Sequence, residues 1–277
     1  MTEAATALHL SQQAVSSSIR HLERELGVTL FERGARPLHL TPAGSVLHAG
    51  AVTVLAAAHS LAKNTINAGR DLPAPYIVGH TPAITSDEVF DLLAPIRRAL
   101  PALPIEVRQM FPDPLSEAIL DTSIDLGLRR GATAPDQLHG AVIAYNPLNI
   151  AVSAHHPLAD YPLITMADLA GYTLIVWSPP GVSLYTDYLL SLCRRSGFEP
   201  RLTVNHIQGT TPATAAAVDP DCYAFVTQPP GTALHGRIHI RPIEDAPHAP
   251  VQAIWLPHTL SRPRSALLGD TPPAMPS

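Results

Sequence analysis

Two stretches of the chain hold the residue types that could do chemistry. In the first, Ser11-Gln-Gln-Ala-Val-Ser-Ser-Ser-Ile-Arg20, the residues Gln12, Ser16 and Arg20 recur at i, i+4 and i+8 and so share one face of a helix. Gln13 and Ser17 flank that face. A glutamine amide presents a donor and an acceptor side by side, the pattern of an adenine edge, while hydroxyls bond bases or phosphates and guanidinium groups neutralise phosphates. Such a face has the chemistry to recognise a nucleic-acid duplex. Arg33 and Arg36 would add phosphate contacts, and so would Thr41, which opens a helix whose free N–H groups attract an anion. A solvated polar helix face is the plain alternative for Gln12, Gln13, Ser16 and Arg20.

In the second stretch, Thr81 and Thr85 stand between a strand and a helix beginning near Asp87, where free N–H groups could receive an anionic ligand or where the hydroxyls simply cap the helix. Arg129 follows the strand Asp125-Leu-Gly-Leu128 and could pair a carboxylate, or form a surface ion pair. Catalytic groupings are weak. Ser183, in Gly181-Val-Ser-Leu-Tyr185, lacks the second glycine of a nucleophile elbow. His235 and His239 have metal-ligand spacing for a helix, but Ile238 and Ile240 alternate as in a strand, and His155 and His156 precede Pro157 in what reads as a solvated loop. Cys193 and Cys222 make neither a disulfide framework nor a metal cluster, and a reducing compartment is expected. Lys63 is the only lysine, so no Gly-Lys-Ser/Thr phosphate loop exists. No enzyme activity, cofactor or metal is expected.

The elements that must hold these residues follow from composition, capping and periodicity. Of 277 residues, 46% are hydrophobic and 15% charged, which argues against disorder, and 29 prolines imply many short elements. The net charge of −5 excludes a global basic field. The first seventy residues nevertheless carry six basic against four acidic side chains, and Asp71-Leu-Pro-Ala-Pro75 separates them from a more acidic remainder, so the main boundary is placed there. Before it, Thr2 is predicted to cap a helix to about His9, and Ser11 one to about Leu26 that Gly27 ends. On the second helix Val15, Ile19, Leu22 and Leu26 form one apolar stripe. Thr29 to Arg33 and Leu38 to Leu40 read as the two strands of a wing, and Thr41-Pro42 starts a helix to about Ala68 on which Leu47, Val54 and Leu61 repeat every seven residues, a seam for a second helix.

After residue 75 strands and helices alternate. Strands are predicted at 76–79, 105–108, 125–128, 141–143, 149–152, 173–176, 202–204, 224–226 and 253–255, and helices at 87–100, 115–121, 184–196 and 213–218. This implies an α/β fold with largely parallel sheets and a ligand crevice at the strand carboxyl ends. Residues 269–277 read as a disordered tail. No stretch approaches the roughly 20 apolar residues of a membrane span and no signal peptide is evident, so a soluble cytoplasmic protein without a membrane partner is expected.

In this order, Ser11 to Arg20, Leu22-Glu23, Glu25-Leu-Gly-Val28, Leu30-Phe-Glu-Arg33 and Leu40-Thr-Pro-Ala-Gly44 resemble the winged helix-turn-helix of LysR-type transcriptional regulators. The likeness continues, with sparser motifs, through Val78-Gly79, Leu100-Pro101, Asp125 to Leu128 and Ala154-His-His-Pro-Leu158. It implies a winged helix-turn-helix over 1–42, a linker and dimerisation helix over 43–70, and over 75–268 an effector domain of two α/β subdomains similar to periplasmic binding proteins. It implies double-stranded DNA and a small-molecule effector as partners, a homodimer or homotetramer, and effector contacts at Thr81, Thr85 and, across the cleft, Gln208 and Thr210. Ser17 stands where the family often has a basic or longer polar side chain, and Asp219-Pro-Asp-Cys-Tyr223 replaces its usual glycine-rich turn. The family's DNA-binding domain opens with a helix ahead of the position of Thr2. Its absence here would leave Ala5, Leu8, Val15, Ile19 and Leu22 short of cover, at about 25 cal/mol per Å², so translation is expected to begin upstream. The alternative is an N-terminally truncated small-molecule-binding or heterodimerising module without productive DNA binding.

Overall fold

The short helix Thr2–Ala7 (α1) stops where His9 turns into the left-handed region at φ 53°, one turn before the second helix. Thr2 lies inside α1 rather than capping it. Ser11 accepts the Ala14 N–H at 3.1 Å and starts Gln12–Leu26 (α2), which ends where Gly27 adopts φ 69°, a conformation that costs glycine least. Among the described residues the wing region shows one antiparallel bridge, Phe31 to Leu40. Thr41 then donates to the Thr29 carbonyl at 2.7 Å and accepts the Gly44 N–H at 3.0 Å, opening the long helix Pro42–Ala68 (α3).

The computed structural model describes residues 2–32, 38–69, 74–205, 212–217 and 219–269. Arg33, Arg36, Gln208, Thr210 and the tail from residue 270 lie outside them. The chain forms two compact units, residues 1–55 and 56–277, and the division falls inside α3. In the first unit Ala5, Val15 and Leu30 are buried. The stripe expected on α2 is only partly covered: Leu22 and Leu26 keep 37% and 48% of their surface.

A second correction concerns α3. Over Pro42–Lys63 it is long and apolar enough to cross a membrane by length and composition, contrary to the expectation that no stretch qualifies. Its small apolar residues, Ala and Val with few charges, raise the mean without any long run of Leu or Ile catching the eye.

The second unit opens with the last turns of α3. It continues through Tyr76–His80 (β1), Ser86–Leu92 (α4), Ala94–Ala99 (α5), Ile105–Gln109 (β2), Pro112–Leu120 (α6), Leu126–Arg130 (β3), His139–Pro147 (β4) and Asn149–Ser153 (β5). Then come Thr173–Val176 (β6), Leu184–Arg195 (α7), Arg201–Val204 (β7), Pro212–Ala215 (α8), Cys222–Val226 (β8), Gly231–Ala233 (β9), Ile238–Pro242 (β10), His248–Trp255 (β11) and Arg262–Leu268 (α9). One sheet has the order β2-β1-β3-β11-β4, the other β7-β6-β8-β5-β10-β9. The chain crosses between them twice, from β4 to β5 and from β10 to β11, which makes two lobes.

These crossings explain why the sheets are mixed rather than largely parallel. Each lobe holds a parallel triple, β2-β1-β3 and β7-β6-β8, but β4, β5, β10 and β11 enter from the crossing and pair antiparallel. The predicted helix 87–100 is two helices, because Pro95 lacks the N–H that would continue α4 and instead opens α5. Strand β9 and helix α9 were not predicted, although Ser261 caps α9 with Pro263 in its first turn. Each lobe has its own apolar core: Val78, Ile96, Leu126 and Val251 in the first, Ile150, Leu174, Leu190 and Phe225 in the second. Ala56 of α3 is buried with Leu115 and Ile119 of α6, and the Lys63 ammonium donates to Asp125 Oδ1 at 2.9 Å and to the Thr122 carbonyl at 3.0 Å. Asp125 Oδ2 in turn accepts the Ile77 N–H at 2.8 Å.

Candidate functional site

On α2, Ser11 is the cap, Gln13 and Ser17 are exposed and Ser16 is half-buried. The Gln12 amide donates to the Thr2 hydroxyl at 2.5 Å, tying α2 to α1, while the exposed Arg20 lays its Nε on the Ser16 carbonyl at 3.2 Å and keeps its remaining donors outward. The face is therefore polar and singly basic, as its spacing indicates. The α1–turn–α2 arrangement holds it on a short, capped rod that fits a major groove. On α3, Val54 and Leu61 are 68% and 69% exposed and Leu47 is half-buried, but Val46, Leu55 and Ile66 are exposed too, so the uncovered apolar surface is broader than a narrow seam.

In the second unit a cavity of about 140 Å³ opens at the carboxyl ends of β1, β3, β6 and β8. This is where an α/β sheet leaves room for a ligand. The first lobe supplies Thr81 to Ala83 after β1, the start of α6, and Arg129 and Arg130 at the end of β3. The second supplies Val176 at the end of β6 with Trp177 and Ser178 after it, the start of α7 with Tyr185, and Phe225 to Thr227.

Thr81 is buried at this cavity, its N–H bonded to the Leu128 carbonyl at 3.0 Å. Thr85 is not among its walls: its hydroxyl accepts the Glu88 N–H while Glu88 accepts the Thr85 N–H at 2.8 Å, a reciprocal cap that commits it to the helix. Arg129 belongs to β3 rather than following it, and it does line the cavity. Its Nη2 donates to the Thr133 carbonyl at 2.9 Å, but its Nε is buried without a partner, and burial alone lowers its pKa. Arg130 bridges the lobes: buried, it donates to Glu88 at 2.5 Å and Asn146 at 2.9 Å in the first and to Thr227 at 2.9 Å in the second. Burial pushes the Tyr185 phenol up to about 12, so it is neutral in the wall.

Sequence reasoning missed Arg130, Trp177, Tyr185 and Phe225. The two rings at 177 and 185 follow β6 and open α7, a position that the strand-end rule for α/β sheets marks out. Other readings change in detail. Ser183 caps α7. His239 lies on β10, its Nδ1 2.9 Å from the Ala159 carbonyl, and His235 sits outside that strand at φ 57°. His156 is not solvated: it is 3% exposed, accepts the Leu158 N–H at 3.1 Å and packs on Tyr172 at 4.4 Å between ring centroids, because the turn folds it back under β5.

Two family descriptions match the chain: bacterial regulatory helix-turn-helix protein of the lysR family over residues 1–45, and LysR substrate binding domain over residues 76–271. Among similar proteins, the HTH-type transcriptional regulator YnfL of Escherichia coli is 31% identical over 72% of this chain and 68% of its own length. CatR of Pseudomonas putida is 30% identical over 71% of this chain and 66% of its own length. Among solved structures, full-length OxyR from Pseudomonas aeruginosa superposes with a TM-score of 0.58 at 22% identity, covering 96% of this chain and 90% of that one. CbnR in complex with its target DNA gives 0.55 at 22% identity, covering 96% and 91%.

Proposed function

The chain belongs to the LysR family of DNA-binding transcriptional regulators with an effector-binding domain, and from that premise we propose how its residues divide the work. Residues 1–42 read DNA, with Gln13, Ser16 and Ser17 toward base edges and Arg20, Arg33, Arg36 and Thr41 toward phosphates. Residues 43–70 join two copies through the uncovered apolar surface of α3 around Leu47, Val54 and Leu61. Residues 75–268 receive a small molecule in the cavity between the lobes, with Thr81 and Arg129 as contacts and Gln208 and Thr210, outside the described residues, as further contacts. Arg130 ties the two walls together. A ligand there biases the equilibrium between open and closed lobes and so the DNA-bound state.

The observation that carries this reading is the pairing of a capped recognition helix with a cavity at four strand ends in one chain. The test is a DNA titration at several salt concentrations. Sequence-preferring binding with a steep negative salt slope is expected, and binding that ignores sequence would overturn the assignment of α2. The relatives are transcriptional regulators, and the same titration run alongside a turnover assay on ligands that bind the cavity separates a sensor from an enzyme.

A further inference from the structure

The walls of the inter-lobe cavity narrow what it can hold, and this inference rests on its being the effector site. Three charged side chains line it among the described residues: Asp113, Arg129 and Arg130. Arg130 is already bonded to Glu88, Asn146 and Thr227. Arg129 is different. One of its amines rests on the Thr133 carbonyl, and among the described residues its Nε has no acceptor and no carboxylate pairs with it. A cation in that state, short of an acceptor and of a counter-ion, attracts an anion into the cavity, and a carboxylate supplies one.

The rest of the wall carries neutral hydroxyls and rings but no further cation among the described residues. The Ser116 hydroxyl donates to the Pro112 carbonyl, that of Thr186 to the Ser178 carbonyl, and those of Ser183 and Thr227 accept from Thr186 N and Arg130. Two of these hydroxyls, Ser116 and Thr186, spend their hydrogens on the protein, while those of Ser183 and Thr227 keep theirs. The remaining surface is aromatic and aliphatic, led by Phe111, Trp177, Tyr185 and Phe225. The volume, about 140 Å³, is close to the roughly 150 Å³ of an apolar cavity that admits one benzene ring. Asp113, exposed in the first turn of α6, opposes a second negative charge on the same ligand.

We propose that the cavity binds a flat, singly charged carboxylate of about one-ring size, its carboxylate on Arg129 and its ring against Trp177 and Tyr185. The full-length chain titrated calorimetrically with sodium benzoate, benzamide, phthalate and acetate tests this. Benzoate is expected to bind at about millimolar or tighter, and the other three at least about tenfold weaker, because each lacks the charge, adds a second one or lacks the ring. Arg129→Gln is expected to weaken benzoate by about tenfold or more, Arg129→Lys to weaken it less because the charge stays while the planar fork is lost, and Ser116→Trp to block it by filling the cavity.

Equal affinity for benzoate and benzamide, full benzoate affinity in Arg129→Gln with an unchanged melting temperature, or no benzoate binding to the wild-type chain would each overturn the proposed class. Should Arg129→Gln melt earlier, the comparison of benzoate with benzamide on the wild type decides alone. The effector reading fails separately. If benzoate binds through Arg129 but leaves DNA affinity and footprint unchanged, the ligand class stands and the regulatory role of the cavity does not.

Discussion

Gln13 and Arg20 stand two turns apart along α2, and their chemistry separates two contributions to DNA affinity. An amide that reads one base edge contributes discrimination without charge, so Gln13→Ala is expected to reduce preference for the cognate duplex by about 1–3 kcal/mol while leaving the salt slope alone. Arg20→Ala should weaken all sequences alike and flatten the slope by about one. Fluorescence anisotropy with cognate and scrambled duplexes across a salt series measures both, and the same pattern in the two variants would mean the face is misassigned. Gln12 is the wrong residue for this test, since its amide holds the Thr2 hydroxyl and its loss disturbs the helix pair. At Gly44 the restriction is steric: a Cβ would overlap the Leu30 carbonyl, so Gly44→Ala is expected to destabilise the DNA-binding unit by about 1–3 kcal/mol, read as a lower melting temperature. Residue roles set by neighbours in sequence were legible. Ser11 and Thr41 announce themselves as caps because their partners are three residues away. Arg130 was invisible because its partners lie 42, 16 and 97 residues distant, and only the two-lobed fold brings them together.

At the scale of elements, α3 has an apolar surface without cover among the described residues: Val46, Val54, Leu55, Leu61 and Ile66 are all more than half exposed. Removing such surface from water by pairing with a second copy contributes about 25 cal/mol per Å². The double variant Val54→Asp, Leu61→Asp is therefore expected to shift the protein toward monomer in sedimentation velocity, since two buried charges per helix oppose the seam. An unchanged oligomer would place the interface elsewhere. The last turns of α3 are held differently, by Ala56 in an apolar cluster and by Lys63 on Asp125. Both partners of that ion pair are about a quarter to a third exposed, so Lys63→Met is expected to cost no more than about 1 kcal/mol overall. Its effect should instead be local, faster amide exchange in the final turns of α3 with the sheets unaffected. Strand positions were legible from short apolar runs, yet their pairing was not. A run such as Ala253-Ile-Trp255 reads the same whether its neighbour is parallel or antiparallel, and the direction is set by the crossing that delivers β11 into the first sheet.

For the whole molecule, two buried histidines make stability depend on pH in both lobes. His80, at the end of β1, has its Nδ1 3.2 Å from the Thr81 carbonyl and 3.1 Å from that of Ile84, while His156 packs under Tyr172 in the second lobe. Burial lowers both pKa values below 6.5, offset in part by the two carbonyls at His80 and by Asp221 at His156. The folded chain then binds fewer protons than the unfolded chain between those lowered values and 6.5. Stability is complete above about pH 6.5 and is lost as pH falls through the folded values, with a limiting slope of about 1.4 kcal/mol per pH unit for each histidine. The melting temperature is expected to hold steady from pH 8 to 7 and to decline toward pH 5. His156→Phe keeps a ring against Tyr172 but removes one titration, so it should lower stability at pH 8, where the Leu158 N–H loses its acceptor, while flattening the decline. A variant whose profile simply runs parallel to that of the wild type would show that His156 is not protonated on unfolding. The decline would then belong to His80 and the carboxylates.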